Sequence, residues 1–181
     1  VESAPQAGTR FEILLPATPV PPPFGEPSGA WPAIATGGTE SILLVEDDER
    51  ISDPLIRVLR SEGFVVEHVD GGLSAIDSVA EARPDLVLLD YYFPEGHGTD
   101  ILWRIRGEQL ATDIIMITAA KESDTLQQAM RGGVFDYIVK PVMFPRFEEA
   151  LLRFQNHRQQ MQSEDSFSQQ DVDRLLHPYK D

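Results

Sequence analysis

Five short apolar runs, at 42–45, 64–69, 86–89, 114–117 and 135–139, punctuate the chain after Ser41. The stretches between them are long enough for helices and carry apolar residues three or four apart. Leu55, Val58 and Leu59 make one such stripe, and Ala75, Ile76 and Val79 a second. Leu102 with Ile105, then Leu126, Ala129 and Met130, continue the pattern. Strands that alternate with helices imply right-handed crossovers and a parallel sheet covered on both faces. The expected fold is α/β, a doubly wound five-stranded parallel sheet of about 120 residues, the size of an ordinary domain. A last helix from Pro145 to Met161 places Phe147, Ala150, Leu151 and Phe154 on one stripe, which reads as core.

The flanks have a different character. Eight of the 14 prolines and five of the 13 glycines fall in residues 1–40, Pro19, Pro21, Pro22 and Pro23 among them. Proline removes backbone donors and glycine adds chain entropy, so neither a helix nor a central strand survives there. Residues 17–40 read as a semi-rigid linker with polyproline II character. Thr9 to Leu15 alternates as a strand does, so residues 1–16 read as the remnant strand of a preceding domain. Residues 41–160 form the folded unit, and 161–181 a polar extension with a short helix near Ser168–Leu176.

Charge narrows the partners. Thirty acidic residues against 15 basic ones leave a net charge of -15, with no cysteine anywhere. Phosphate backbones and anionic lipid surfaces call for clustered Lys and Arg, so neither nucleic acid nor membrane is an expected partner. Without cysteine there is no disulfide framework, zinc knuckle or thiol nucleophile, and a bound metal must be hard and oxygen-ligated. No apolar run approaches the roughly 20 residues of a membrane span, and the start, Val-Glu-Ser-Ala-Pro, is not a signal peptide. A cytoplasmic location is expected.

In an open α/β sheet, ligands bind beyond the carboxyl ends of the strands. The first run is followed by Glu46, Asp47, Asp48 and Glu49, the third by Asp90, the fourth by Thr118 and Ala119, and the fifth by Lys140 and Pro141. Carboxylates brought together raise one another's pKa unless a cation sits among them. Mg²⁺ suits such a set, because it accepts a few carboxylates together with waters and phosphate oxygens. Glu46, Asp47 and Asp90 are the candidate cluster. Beside a neutralising metal, one carboxylate can act as a nucleophile toward phosphorus. Lys140 supplies a point charge for a phosphoryl oxygen, and Thr118 a hydroxyl.

The residues at this edge resemble the receiver domains of two-component response regulators. The matching pieces are Ile-Leu-Leu-Val-Glu-Asp-Asp (42–48), Leu-Val-Leu-Leu-Asp-Tyr-Tyr-Phe-Pro-Glu-Gly-His-Gly (86–98), Ile-Met-Ile-Thr-Ala-Ala (115–120) and Asp-Tyr-Ile-Val-Lys-Pro (136–141). The resemblance implies a flavodoxin-like sheet with strand order 2-1-3-4-5. It further implies that Asp90 accepts a phosphoryl group from the phosphohistidine of a histidine kinase or phosphotransfer domain. Glu46, Asp47 and Asp90 would hold Mg²⁺ with the backbone carbonyl of Tyr92. Thr118, the Ala119 amide and Lys140 would grip the phosphoryl oxygens. Thr118 and Tyr137 would switch the face of the fourth helix, fifth strand and fifth helix, the face also expected to carry any homodimer. The role is that of a signalling domain that catalyses only its own phosphorylation and dephosphorylation. Phe93 departs from the family's usual Met or Leu before the proline, and Tyr92 is bulky enough to shield an acyl phosphate from water.

Two weaker resemblances lie in the flanks. Gly8 to Pro16 is similar to the last strand of a histidine-kinase ATP-binding domain, as in the hybrid kinases that carry a receiver after a linker. Arg146 to Leu151 together with Ser168 to Leu176 resembles citrate and C4-dicarboxylate response regulators. Three other readings are weaker. A phosphorylation-independent docking domain leaves the complete acidic set unexplained. A haloacid-dehalogenase-type phosphohydrolase needs a second Asp where Tyr92 stands. A flavodoxin-like nucleotide binder needs an amide-rich loop where Glu46 to Glu49 would repel phosphate.

Overall fold

The computed structural model describes residues 2–4, 8–10, 39–94, 96–119 and 123–163. Five parallel strands form its sheet: β1 (Ser41–Val45), β2 (Val65–Val69), β3 (Leu86–Leu89), β4 (Asp113–Thr118) and β5 (Asp136–Val139). They lie side by side in the order β2-β1-β3-β4-β5, as expected. Helices α1 (Glu49–Ser61), α2 (Gly72–Ala82), α3 (Gly98–Gly107) and α4 (Ser123–Arg131) connect successive strands, and α5 (Phe144–Ser163) follows β5.

The apolar runs have the burial expected of central strands. Every residue of β3 is buried, and β1 is buried from Ile42 onward. Alternation along the strands divides the core into two layers. Ile42, Leu44, Leu86, Leu88, Ile115 and Ile117 pack with α1 and α5 through Leu55, Leu59, Phe147, Leu151 and Phe154. Leu43, Val45, Val87, Leu89, Ile114 and Met116 pack with α2 and α3 through Ala75, Val79, Leu102 and Ile105. The stripe Phe147, Ala150, Leu151 and Phe154 is completely buried, as its spacing implied.

Helix α1 starts at an Asp48 N-cap whose carboxylate accepts from the Arg50 amide at 3.0 Å. It runs through Pro54, which has no N–H to return to the preceding turn. The opposite end of the sheet is tied by ionic contacts. Asp85 accepts from the amide and hydroxyl of Ser41, at 2.8 and 2.9 Å, and from Arg158 of α5 at 2.6 Å. Asp136 is held by Arg146 and Arg153, also from α5.

Of the strand expected over Thr9–Leu15, only Thr9 and Arg10 are described. Gly8–Arg10 is extended and pairs antiparallel with Glu2–Ala4, while 11–15 lie outside the described residues. So do most of the Pro-rich stretch and the short helix at Ser168–Leu176. Arg106 of α3 is half-buried. Its guanidinium donates to three carbonyls: Gly132 and Gly133 at 3.0 Å each, and Thr112 at 2.8 Å.

Candidate functional site

The strand ends deliver the chemistry. Glu46 and Asp47 directly follow β1, Asp90 follows β3, Thr118 closes β4, and Lys140 follows β5. Because β1 and β3 are neighbours in register, with Val45 opposite Leu89, the residues just beyond them emerge side by side. Carboxylate oxygens of Glu46, Asp47 and Asp90 all lie within 4.8 Å of one another. Glu46 and Asp90 are buried, at 2% and 6% exposure, whereas Asp47 faces solvent.

Lys140 reaches in from the far side. Its Nζ lies 2.7 Å from Glu46 Oε2 and 2.9 Å from Asp90 Oδ2. The main chain assists, since the Lys140 amide donates to the Thr118 carbonyl at 2.8 Å and binds the fourth and fifth strand ends together. The Lys140–Pro141 peptide is cis. Thr118 is completely buried, and Ala119 follows it in an exposed bend. Tyr137 sits in β5 opposite Met116, half-buried against the layer beneath α3.

Burial pushes the Glu46 carboxyl up from 4.5 to about 7, repulsion from Asp90 adds to this, and Lys140 opposes both. Two buried acids and one ammonium leave a negative excess that a divalent ion would neutralise. The donors are all hard carboxylate oxygens, one side is open through Asp47, and no soft ligand is present; this donor set fits Mg²⁺.

The acceptor loop is tightly folded around Asp90. The Tyr91 amide donates to Asp90 Oδ1 at 2.6 Å, and the Gly98 amide to the Tyr91 carbonyl at 2.6 Å. Tyr92–Phe93 pairs antiparallel with Gly96–His97, placing Tyr92 opposite His97. The Tyr91 ring stands edge-on to Tyr92, centroids 4.7 Å apart, and 4.9 Å from His97. A Cβ on Gly98 would fall 2.2 Å from the Asp90 carbonyl oxygen, so only glycine permits this approach.

The strand ends thus bring Glu46, Asp47 and Asp90 within 4.8 Å of one another, with Lys140 bonded to Glu46 and Asp90. Two residues that tie the fold, one beside the site and one at the opposite end of the sheet, carried no sequence signal. His68 of β2 bonds the main chain of Glu46, and Arg106 clamps the end of α4; a lone His or Arg has no spacing to mark it.

A doubly wound parallel sheet with an acidic cluster and a lysine at its carboxyl edge defines a receiver-type α/β domain. Residues 42–152 match the family model of the response regulator receiver domain, and the chain belongs to that family. It is 36% identical over 138 residues to the transcriptional regulatory protein CitT of Halalkalibacterium halodurans, covering 74% of this chain and 60% of that protein. It is 31% identical over 138 residues to the probable C4-dicarboxylate response regulator DctR of Bacillus subtilis, covering 75% of this chain and 61% of the relative. The chain therefore spans about three-fifths of the length of these curated relatives.

Among solved structures, the fold matches the signal receiver domain of a Luxo repressor protein from Vibrio parahaemolyticus. That match has a TM-score of 0.66 at 23% identity, over 72% of this chain and all of the other. The receiver domain of the sensor histidine kinase PA1611 from Pseudomonas aeruginosa PAO1 matches at a TM-score of 0.60 and 28% identity. It covers 66% of this chain and 99% of that one, and that structure has a magnesium ion coordinated in its active-site cleft. No described helix is long and apolar enough to cross a membrane.

Proposed function

We propose that this chain is a phosphoacceptor in a two-component phosphorelay, with residues 41–160 as the working unit and Asp90 as the residue phosphorylated. The observation that carries this reading is the placement of Lys140 on both Glu46 and Asp90. The ammonium holds the nucleophilic carboxylate in place and remains available to a phosphoryl oxygen. Glu46, Asp47, Asp90 and the Tyr92 carbonyl would hold Mg²⁺, which when bound neutralises the oxygens of the transferring group.

An Asp90 carboxylate oxygen attacks the phosphorus of a phosphohistidine. The new P–O bond forms as the P–N bond breaks, and the imidazole leaves with the bonding pair and takes up a proton. Lys140 then pairs with a phosphoryl oxygen, while the Thr118 hydroxyl and Ala119 amide donate to others. Drawing Lys140 and Thr118 toward the phosphoryl group pulls on the ends of β4 and β5. Tyr137 moves inward, and the α4-β5-α5 face changes shape for an output partner or a second copy. The donor is a histidine kinase or phosphotransfer domain, and the output lies in whatever this chain is joined to. The similarity to citrate and C4-dicarboxylate regulators favours a transcriptional output over the hybrid-kinase setting suggested by Gly8 to Pro16. The site lies in the cytoplasm, where phosphohistidine donors are made.

Incubation with acetyl phosphate or phosphoramidate and Mg²⁺, followed by intact-protein and peptide mass spectrometry, tests the reading. A base-labile phosphoryl adduct on Asp90, absent from Asp90→Ala, is expected. No adduct on the wild type, or an undiminished one on the variant, would leave a phosphorylation-independent docking domain as the better description.

A further inference from the structure

Beyond the acidic residues themselves, the edge strand β2 takes hold of the turn that carries two of them. The ladder between β1 and β2 ends at Val45 opposite Val69, and the Glu46 amide donates to the Val69 carbonyl at 3.2 Å. The carbonyl of the same residue meets the His68 ring, whose Nε2 lies 2.9 Å away. A carbonyl oxygen can only accept, so Nε2 must carry the proton, whether the ring is neutral or an imidazolium. Both main-chain polar groups of Glu46 are thus bound by β2.

This matters because the carboxylates of the cluster are not equally restrained. Glu46 and Asp90 are buried and share Lys140, whereas Asp47 is exposed. The position of Asp47 is set by the backbone on either side of it. On the far side stands the Asp48 N-cap, which starts α1. On the near side is the Glu46 carbonyl, held by His68. Groups that orient metal ligands in this way commonly change metal affinity without touching the ion.

We propose that His68 is a positioning residue of the phosphoacceptor site, its Nε2–H fixing the main chain between Glu46 and Asp47 and so preorganising both carboxylates for Mg²⁺. The role rests on the phosphoacceptor reading above. Glutamine places an amide N–H at the reach of Nε2, while methionine has similar length and no donor, so His68→Gln and His68→Met separate the hydrogen bond from packing.

The wild type and both variants are compared by calorimetric titration with Mg²⁺ and by phosphoramidate labelling at graded Mg²⁺. Thermal unfolding without metal and the ¹⁵N NMR pattern of the wild-type His68 ring above pH 8 complete the set. The expected results are an Nε2–H tautomer and Mg²⁺ affinity about tenfold weaker in His68→Met, with a matching shift in the Mg²⁺ dependence of labelling. His68→Gln stays close to wild type, and all three proteins unfold at similar temperatures without metal. An Nδ1–H tautomer, a methionine variant with wild-type Mg²⁺ affinity, or a glutamine variant as weak as the methionine one overturns the role while leaving the phosphoacceptor reading in place. A wild-type protein that neither binds Mg²⁺ nor takes a phosphoryl group overturns that reading and the role with it.

Discussion

Lys140 and Asp90, fifty positions apart, form a 2.9 Å ion pair at the carboxyl edge of the sheet. The same ammonium bonds Glu46, so one cation is shared between two buried acids. Lys140→Ala is expected to destabilise the metal-free protein at pH 8 by about 3 kcal/mol, the scale for a buried charge that loses its partner. Urea unfolding checks this, and Mg²⁺ is expected to restore much of the loss. Phosphoryl transfer to Asp90 should persist more slowly, and the response of the α4-β5-α5 face should vanish.

The Glu46 carboxyl gives the fold a pH dependence with a definite sign. In the unfolded chain it ionises near 4.5, and in the folded, metal-free protein near 7. Between these values the folded state binds more protons, so stability falls as pH rises from about 4.5 to 7 and then levels off. The contribution is at most about 3–4 kcal/mol, since ionisation moves from 4.5 to about 7 at 1.36 kcal/mol per pH unit. Glu46→Gln is expected to flatten this part of a stability-versus-pH curve. Mg²⁺ affinity should run the opposite way, weakening up to tenfold per unit as pH drops below 7, because the ligand must be ionised.

Gly98→Ala places a methyl 2.2 Å from the Asp90 carbonyl oxygen, a backbone atom that cannot swing aside. A loss of about 2 kcal/mol in chemical unfolding is expected, the scale of an overpacked site. Slower labelling of Asp90 by phosphoramidate should accompany it, since the acceptor itself must move.

Arg106 joins α3 to the turn after α4 and to the start of β4 through three charge-assisted hydrogen bonds. Arg106→Ala is expected to cost about 2 kcal/mol, because the part-buried Gly132 and Thr112 carbonyls lose a charged donor. Arg106→Lys should recover little, as an ammonium cannot reproduce the planar fork. Hydrogen exchange should quicken at the carboxyl end of α4 first.

Tyr92 packs edge-on against Tyr91 just beyond the acceptor. If its ring limits the approach of water to an acyl phosphate, Tyr92→Ala loses the phosphoryl group faster, by several-fold in a timed decay of labelled protein. Decay at the wild-type rate would show that the ring plays no such part.

The chain carried its own layout. Runs such as 86–89, apolar at every position, short and flanked by helical periodicity, read as strands covered on both faces, and the polar residue after each run belongs to the sheet edge. That was enough to name Glu46, Asp47, Asp90, Thr118 and Lys140, because in a parallel sheet all strand ends of one kind meet at one edge. His68 and Arg106 were not legible in this way. Each is a lone polar residue whose partner is a main-chain carbonyl, and a carbonyl leaves no mark in a sequence.

The amino-acid order by itself determined the period of the elements, their alternation and the chemistry at the strand ends. Tertiary structure alone decided which carboxylates share Lys140, how far burial raises Glu46, and how closely Gly98 lies against Asp90. Periodicity is a local property set by one residue and its near neighbours. Distance, burial and charge coupling at the site depend on chain segments up to 94 positions apart, as between Glu46 and Lys140, and those meet only when the sheet is assembled.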